Sequence, residues 1–555
     1  MLQAESKTVS SLEKVFCSPV FSGAVLQEIT ALRGERINFQ IAVRCEESAA
    51  VEIIPEVPEG FCGKITLREV WNIPSLMPCA PEDDYTIRKE PGLFPDALVP
   101  IPKVVAVSAR NWHAVWVSAD VPADAVPGRF LLRFKILFTP RSMLNVAFVE
   151  PEAECEETIA VTIVNARLPE QKLKVTHWFY ADCIQHHYRT AAWSEKHWQL
   201  LEKYFRNYAE HQNNLLLTPL WSVPLDILPG VTSRPVCQLL EVSRRDGVWN
   251  FDFSRLERWI VTAQKCGIRN FEMVHAFSQW GLKYAPEIIV DGRPMFGCAV
   301  SSRDPEYAGF LRALMKAMLP VLRNHGLTPE NCYFHISDEP GEADLENYRY
   351  ASCLFREILE DYPVIDALSS LRFFRQGLIE RPVPNVDELD DFIRENTAER
   401  WVYYAGSWKD NLPGRQFGMP SLRARILGVL LYVYGCDGFL EWGYNFWFGQ
   451  FNRTWDVDPW VDSNCERSFR SGGAYIVYPG EDGPVDSLRH EVLAEGFRDE
   501  MALRQLESRT SRDAVLQWLD EEAGYRLSVR RYPKDEKWLL GLRDKLNRKL
   551  AELGC

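Results

Sequence analysis

The hydrophobic period of this chain changes near residue 170, and that change limits the folds open to it. Upstream, apolar residues recur every second position. "RINFQIAVR" (36–44) puts Ile37, Phe39, Ile41 and Val43 on one face of a strand. "NWHAVWVSADVPADAVPGRFLLRFKILF" (111–138) reads as two such runs around a turn marked by Pro122, Pro127 and Gly128, and "ETIAVTIVNARLP" (157–169) alternates until Pro169. Short alternating runs punctuated by Pro and Gly specify an antiparallel β-sandwich, assigned here to residues 1–168.

Beyond a linker at 168–174, strand-like and helix-like stretches take turns. The spacing predicts strands at 174–182, 213–220, 268–277, 333–336, 363–370, 383–389, 400–406 and 437–445. Helices are predicted at 193–212, with Ser194 as N-cap, and at 252–267, 304–325 and 343–361. Eight alternating β/α units specify a (β/α)8 TIM-type barrel over residues 169–505, with a helical extension at 506–555. The fold class is therefore multidomain, a β-sandwich followed by an α/β barrel.

Charge and cysteine usage narrow the partners. With 555 residues and a net charge of −14, the chain has no basic stripe for a nucleic-acid backbone. Its most apolar stretch, "ILGVLLYVYG" (426–435), is too short to span a bilayer. The amino-terminal residues show no apolar signal segment, and the 14 cysteines are scattered without metal-like spacing. These features predict a cytoplasmic protein with no membrane, metal or cofactor requirement. "HH" at 186–187 lacks a carboxylate or cysteine at ligand spacing.

The chemistry is carried by "YFHISDEPG" (333–341). Pro340 ends strand pairing and Gly341 permits a turn, so Asp338 and Glu339 fall at the strand's C-terminal lip, where barrel active sites lie. A plainer reading makes them the cap of the helix that follows. Two carboxyls from one strand end are poorly placed to flank a sugar as most glycosidase pairs do. Adjacent acids suit substrate-assisted hydrolysis, in which the sugar's 2-acetamido oxygen attacks C1. One acid then protonates the leaving group while its neighbour holds the acetamido N–H.

"YFHISDEP", "GFLEWGYNFW" (438–447) and "GGAYIVYPGEDGPVDSLRHEVLAEGFRDEMAL" (472–503) resemble the catalytic domain of glycoside hydrolase family 123, and "LRGERINFQIAV" and "PGLFPDALVPI" resemble the sandwich before it. The resemblance covers about residues 10–505. It implies an exo-acting β-N-acetylgalactosaminidase using the substrate-assisted route on a carbohydrate substrate, with Asp338 orienting the acetamido group and Glu339 as general acid. Glu441 departs from that pattern, standing where an aromatic or aliphatic residue is usual.

Expected sugar contacts are Tyr180 and Asp182 at the end of the first strand, His275 at the end of the third, Tyr403 and Trp442 near the lips of the seventh and eighth, and Tyr444 and Asn445 in the loop of the eighth. Two other readings stay open: a glycosidase for another sugar, with Glu441 completing a conventional carboxylate pair, and a non-catalytic carbohydrate-binding barrel. Strand alternation disfavours the first of these, because Glu441 and Trp442 face opposite ways.

Overall fold

The protein is described by a computed structural model covering residues 2–79, 83–141, 150–228, 234–405 and 410–554. Its amino-terminal part is a sandwich of two sheets. One contains Ala4–Ser10, Arg36–Cys45, Trp112–Asp120, Lys64–Ser75 and Gly92–Pro100. The other contains Glu28–Arg33, Ala153–Arg167, Gly128–Pro140, Ala49–Glu56 and Val105–Val107. Ile37, Phe39, Ile41 and Val43 meet Phe134, Ile136 and Ile163 in the core between the sheets. The first sheet gains two strands from far downstream. The hairpin Val477–Gly480 and Gly483–Ser487 joins its edge, with Asp486 opposite Leu98.

Eight parallel strands follow: β1 (Lys174–His177), β2 (Leu215–Thr218), β3 (Asn270–Met273), β4 (Cys332–Phe334), β5 (Ile365–Ala367), β6 (Arg381–Val383), β7 (Trp401–Tyr403) and β8 (Gly438–Glu441). They form three ladders, β2–β3–β4, β5–β6 and β7–β8–β1. Single bridges at Phe334–Val364 and Asn385–Tyr403 connect neighbouring ladders. Between β1 and β2, Asn214 donates its N–H to the Val175 carbonyl at 3.1 Å and accepts the Val175 N–H on its side chain at 2.9 Å.

Helices Glu195–Glu210, Ser254–Lys265, Pro305–Asn324 and Leu345–Ile358 separate the first five strands, and the Ser194 hydroxyl caps the first of them. The sixth strand lies earlier than predicted. It runs over Arg381–Val383, and Leu389–Phe392 is a short helix. Gly406, the last residue of the predicted seventh strand, lies outside the described residues. The apolar run at 426–435 falls in helix Leu422–Tyr434, which is buried almost throughout. No helix among the described residues is long and apolar enough to cross a membrane.

Helix Leu488–Arg509 holds the two parts together, although it is rich in charge. Arg489, Glu491, Glu495, Asp499 and Glu500 on it are all buried. A buried charge must be paired, and the partners come from both sides. Asn38 and Arg68 occupy the outer face of the sandwich sheet. Asn38 donates to Glu495 at 3.0 Å, and Arg68 bridges Asp486 at 2.8 Å and Glu491. Arg425 holds Glu495 and Asp499, each at 2.8 Å. From the carboxy-terminal helix Glu536–Glu552, Arg543 reaches Asp499 at 2.6 Å and Glu35 of the sandwich at 2.7 Å. Burial opposes ionisation of Glu491, but Arg68, His211 and Arg36 outweigh it and hold its carboxyl well below the usual range.

Arg543→Met should therefore leave Glu35 with an unmet buried charge and Asp499 with Arg425 alone. We expect a loss of about 3–5 kcal/mol in chemical denaturation. A loss below 1 kcal/mol would mean that water or neighbouring cations replace the guanidinium.

Candidate active site

The site forms where β4 ends. Beyond Phe334, the N–H groups of Ile336 and Ser337 bind the Asp366 carboxylate of β5 at 2.9 and 3.3 Å, which carries the chain outward beside its neighbour. Glu339 then adopts φ 46°, a left-handed conformation costly for a non-glycine residue, and more so before a proline. Its N–H is held by the Ala367 carbonyl at 2.9 Å. The turn separates two adjacent side chains: Asp338 is 5% exposed, whereas Glu339 is open to solvent. Neither acid caps the next helix. Asp344 stands at its N-cap position without a side-chain capping bond, and accepts the Gly341 N–H at 3.1 Å across the short 3-10 turn Glu342–Asp344.

Both acids line a cavity of about 400 Å³ walled by Trp178, Tyr180, Gln279, Trp280, Tyr403 and Trp442. Tyr403, at the end of β7, donates its hydroxyl to Glu339 Oε1 at 2.6 Å. Tyr180 donates to the Trp442 carbonyl at 2.9 Å, tying the β1 and β8 exits together. Gln279, after β3, donates its amide to Asp338 Oδ2 at 2.6 Å.

Four expected contacts sit behind this wall. Asp182 belongs to helix Ala181–His187, because β1 stops at His177 and strand alternation no longer applies. Its carboxylate is paired with buried Arg234 at 2.6 Å. His275 is fully buried, stacked on His335 at 4.3 Å and covered by the edge of Trp178. Tyr444 turns outward after Gly443, stacks on Phe179 and donates to Asn207 at 2.7 Å. Asn445 spends its amide on the backbone of Tyr180, at 2.9 Å for both bonds.

Glu441 also faces away from the cavity, buried against Arg415. Burial pushes its carboxyl up to about 7 despite that partner. His186 lies 3.4 Å from Asp456, and His187 packs on Tyr188 and Trp447.

Sequence reasoning missed Trp178, Asp226, Gln279, Trp280 and Phe469 of the lining. Trp178 was accessible to it, two positions before Tyr180 on the same strand exit. The others sit on loops with no regular period, and Asp226 (φ 55°) and Trp280 (φ 53°) are themselves left-handed.

The electrostatics distinguish the two acids. Burial, then the charge of Glu339, raises the Asp338 carboxyl well above its ordinary range, while Gln279 and His335 oppose the rise. Below it, His335 lies between Glu272 at 2.7 Å and Asp366 at 3.4 Å. Burial disfavours its cation, but these two carboxylates outweigh that and raise it to about 9. Burial and then Glu339 push the Tyr403 phenol far above 10, so it stays a donor. The arrangement thus sets a sheltered carboxyl that resists ionisation beside one facing solvent, inside aromatic walls.

In ¹³C NMR titrations of the aspartate carboxyls, Asp338 should titrate above the usual carboxylate range, and Glu339→Gln should lower it by removing the adjacent charge. An unchanged Asp338 would mean that burial alone sets its ionisation.

Comparison with known proteins places the chain in a family. Residues 178–506 match the family model described as the catalytic domain of glycoside hydrolase 123. A family 123 glycoside hydrolase from Clostridium perfringens, described for glycolipid glycan hydrolysis, superimposes with a TM-score of 0.74 at 12% identity, over 100% of this chain and 99% of that one. A family 5 mannosidase from Rhizomucor miehei gives a TM-score of only 0.35 at 13% identity, over 62% of this chain and 95% of that one. No curated protein matches the sequence significantly. The family match covers more than half of the chain, so this protein belongs to glycoside hydrolase family 123.

Proposed function

We propose that the protein is an exo-acting β-N-acetylgalactosaminidase that cleaves its substrate through neighbouring-group participation. The observation carrying this reading is the divergence of Asp338 and Glu339: sequence neighbours, one buried and one exposed, at one edge of an aromatic cavity. The three ladders are read as one (β/α)8 barrel, supported by their bridges and by Asn214 between β1 and β2.

In this mechanism Asp338 accepts the acetamido N–H and stabilises its growing positive charge. The acetamido oxygen attacks C1 as the glycosidic bond breaks, giving an oxazolinium ion. Glu339 gives its proton to the departing oxygen, and its carboxylate then takes a proton from the water that opens the ring. Trp178, Tyr180 and Trp442 supply the walls for the acetamido methyl and the sugar ring. The reaction needs one proton on the pair. Burial favours that proton on Asp338 in the free protein, and the incoming acetamido N–H favours its transfer to Glu339. Glu441, paired with Arg415 behind the wall, gives no support to a conventional carboxylate pair.

The direct test compares aryl β-glycosides of N-acetylgalactosamine, N-acetylglucosamine and galactose. The first should be cleaved fastest, and the 2-hydroxyl sugar should react negligibly. Equal rates on the 2-acetamido and 2-hydroxyl sugars would exclude participation.

Glu339→Gln should cost about 10²–10⁴-fold in kcat/KM on poor leaving groups, and much less on activated ones. Equal losses on both would remove Glu339 from the acid role. The wild-type kcat/KM profile should be bell-shaped, because protonating both acids or ionising both is inactivating. Its alkaline limb should lie above the ordinary carboxylate range, since the pair's last proton rests on the raised Asp338.

Asp338→Asn should lower kcat by about 10²–10³-fold whatever the leaving group. It should also weaken binding of a thiazoline analogue of the intermediate. Undiminished thiazoline affinity would contradict the acetamido role.

A further inference from the structure

We infer that Gln279 is a positioning residue for Asp338, with its amide orientation fixed by the backbone of Asp226. The inference rests on the acetamido role proposed for Asp338 and concerns how the fold prepares that carboxylate. An amide side chain can donate or accept along the same direction, so its value beside a carboxylate depends on which way it is turned. Here both ends are committed. The Asp226 N–H donates to Gln279 Oε1 at 2.7 Å, which directs the Nε2 group to Asp338 Oδ2 at 2.6 Å.

The donor beyond Gln279 is itself fixed. Asp226 is held at φ 55°, and its carboxylate accepts the Phe451 N–H at 2.7 Å, so the loops after β2 and β8 are clasped together. Trp280, the next residue after Gln279, also points its N–H back at the Asp338 carbonyl, at 3.2 Å. Asp338 is thus restrained at its side chain and at its backbone by two consecutive residues of the β3 exit.

One Asp338 oxygen is occupied by Gln279, so the carboxylate plane and its second oxygen are set before substrate arrives. A carboxylate held this way meets the acetamido N–H without reorganising during the reaction. The bond also favours the ionised form against burial. The other groups facing Asp338 are Glu339 and His335 from the β4 segment, Asp366 from β5, Tyr403 from β7 and Tyr180 from the β1 exit. Among the described residues, Gln279 is the neutral side chain seen bonded to the Asp338 carboxylate.

Two variants test the inference. Gln279→Leu removes the donor, so Asp338, followed by ¹³C NMR and assigned by its loss in Asp338→Asn, should titrate higher than in wild type. This readout needs no turnover, so it can fail independently of the proposed activity. Gln279→Glu keeps the shape and still accepts the Asp226 N–H, but it donates to Asp338 only when protonated. On 4-nitrophenyl β-N-acetylgalactosaminide, Gln279→Leu should lose about 10–100-fold in kcat/KM, the scale of one hydrogen bond to a charged group. Gln279→Glu should recover activity as pH falls, with its alkaline limb moved down.

An unmoved Asp338 titration in folded Gln279→Leu, or a Gln279→Glu profile superimposable on wild type, would overturn the inference. A failure to discriminate the 2-acetamido sugar in wild type, with the Asp338 titration still shifting in Gln279→Leu, would instead overturn the proposed mechanism and leave the positioning intact.

Discussion

The structure depends on pairing the charges of one buried helix. Leu488–Arg509 runs between sandwich and barrel with carboxylates and guanidiniums where a core helix would carry leucine. Unpaired, each would cost several kcal/mol, so the surrounding elements must present partners in register. This explains why the outer face of the sandwich sheet carries Asn38 and Arg68, both buried. It also gives the carboxy-terminal helix a definite place through Arg543. The same helix crosses Leu422–Tyr434 at Gly428 and Gly496, where a Cβ on Gly428 would lie 1.7 Å from the Gly496 carbonyl oxygen. Charge pairing and close backbone approach together fix one arrangement of the two parts.

That arrangement reaches the site through a short series of contacts. Arg489 on the helix binds Asp96 of the sandwich with two hydrogen bonds, at 2.8 and 2.9 Å, and also holds the carbonyls of Gly472 and Tyr475. The adjoining segment supplies Phe469 and Gly473 to the cavity. Arg415 then links the Gly473 carbonyl to Glu441 and Gly443 at the end of β8. Glu441, anomalous as a subsite residue, is accounted for as the carboxyl that anchors this arginine. The sandwich is therefore part of the scaffold that shapes the site's β8 side.

The site's two acids illustrate how little separation along the chain is needed for opposite environments. A left-handed Glu339 before Pro340 puts one carboxyl inside and the next outside. An extended Asp–Glu pair would also point its side chains apart, but into opposite faces of the sheet. The strained turn keeps both on the cavity, at a backbone cost met by the Ala367 carbonyl and the Asp366 carboxylate of β5.

The sequence by itself determined the sandwich, the order of the β/α units after it, and the lip position of Asp338 and Glu339. Each rests on local rules: period 2 against period 3.6, and the stop imposed by Pro340 and Gly341. It also carried enough of a family's pattern to be recognised. Beyond the strand ends local rules no longer apply. Asp182 and Tyr444 lie past His177 and Glu441, where those strands stop, and both side chains turn into packing outside the cavity. Tertiary structure alone decided that Gln279 meets Asp338, that Glu441 meets Arg415, and that a downstream hairpin completes the sandwich sheet. These contacts join segments far apart in the chain and use polar groups whose partners exist only after the core has formed, so no local pattern encodes them.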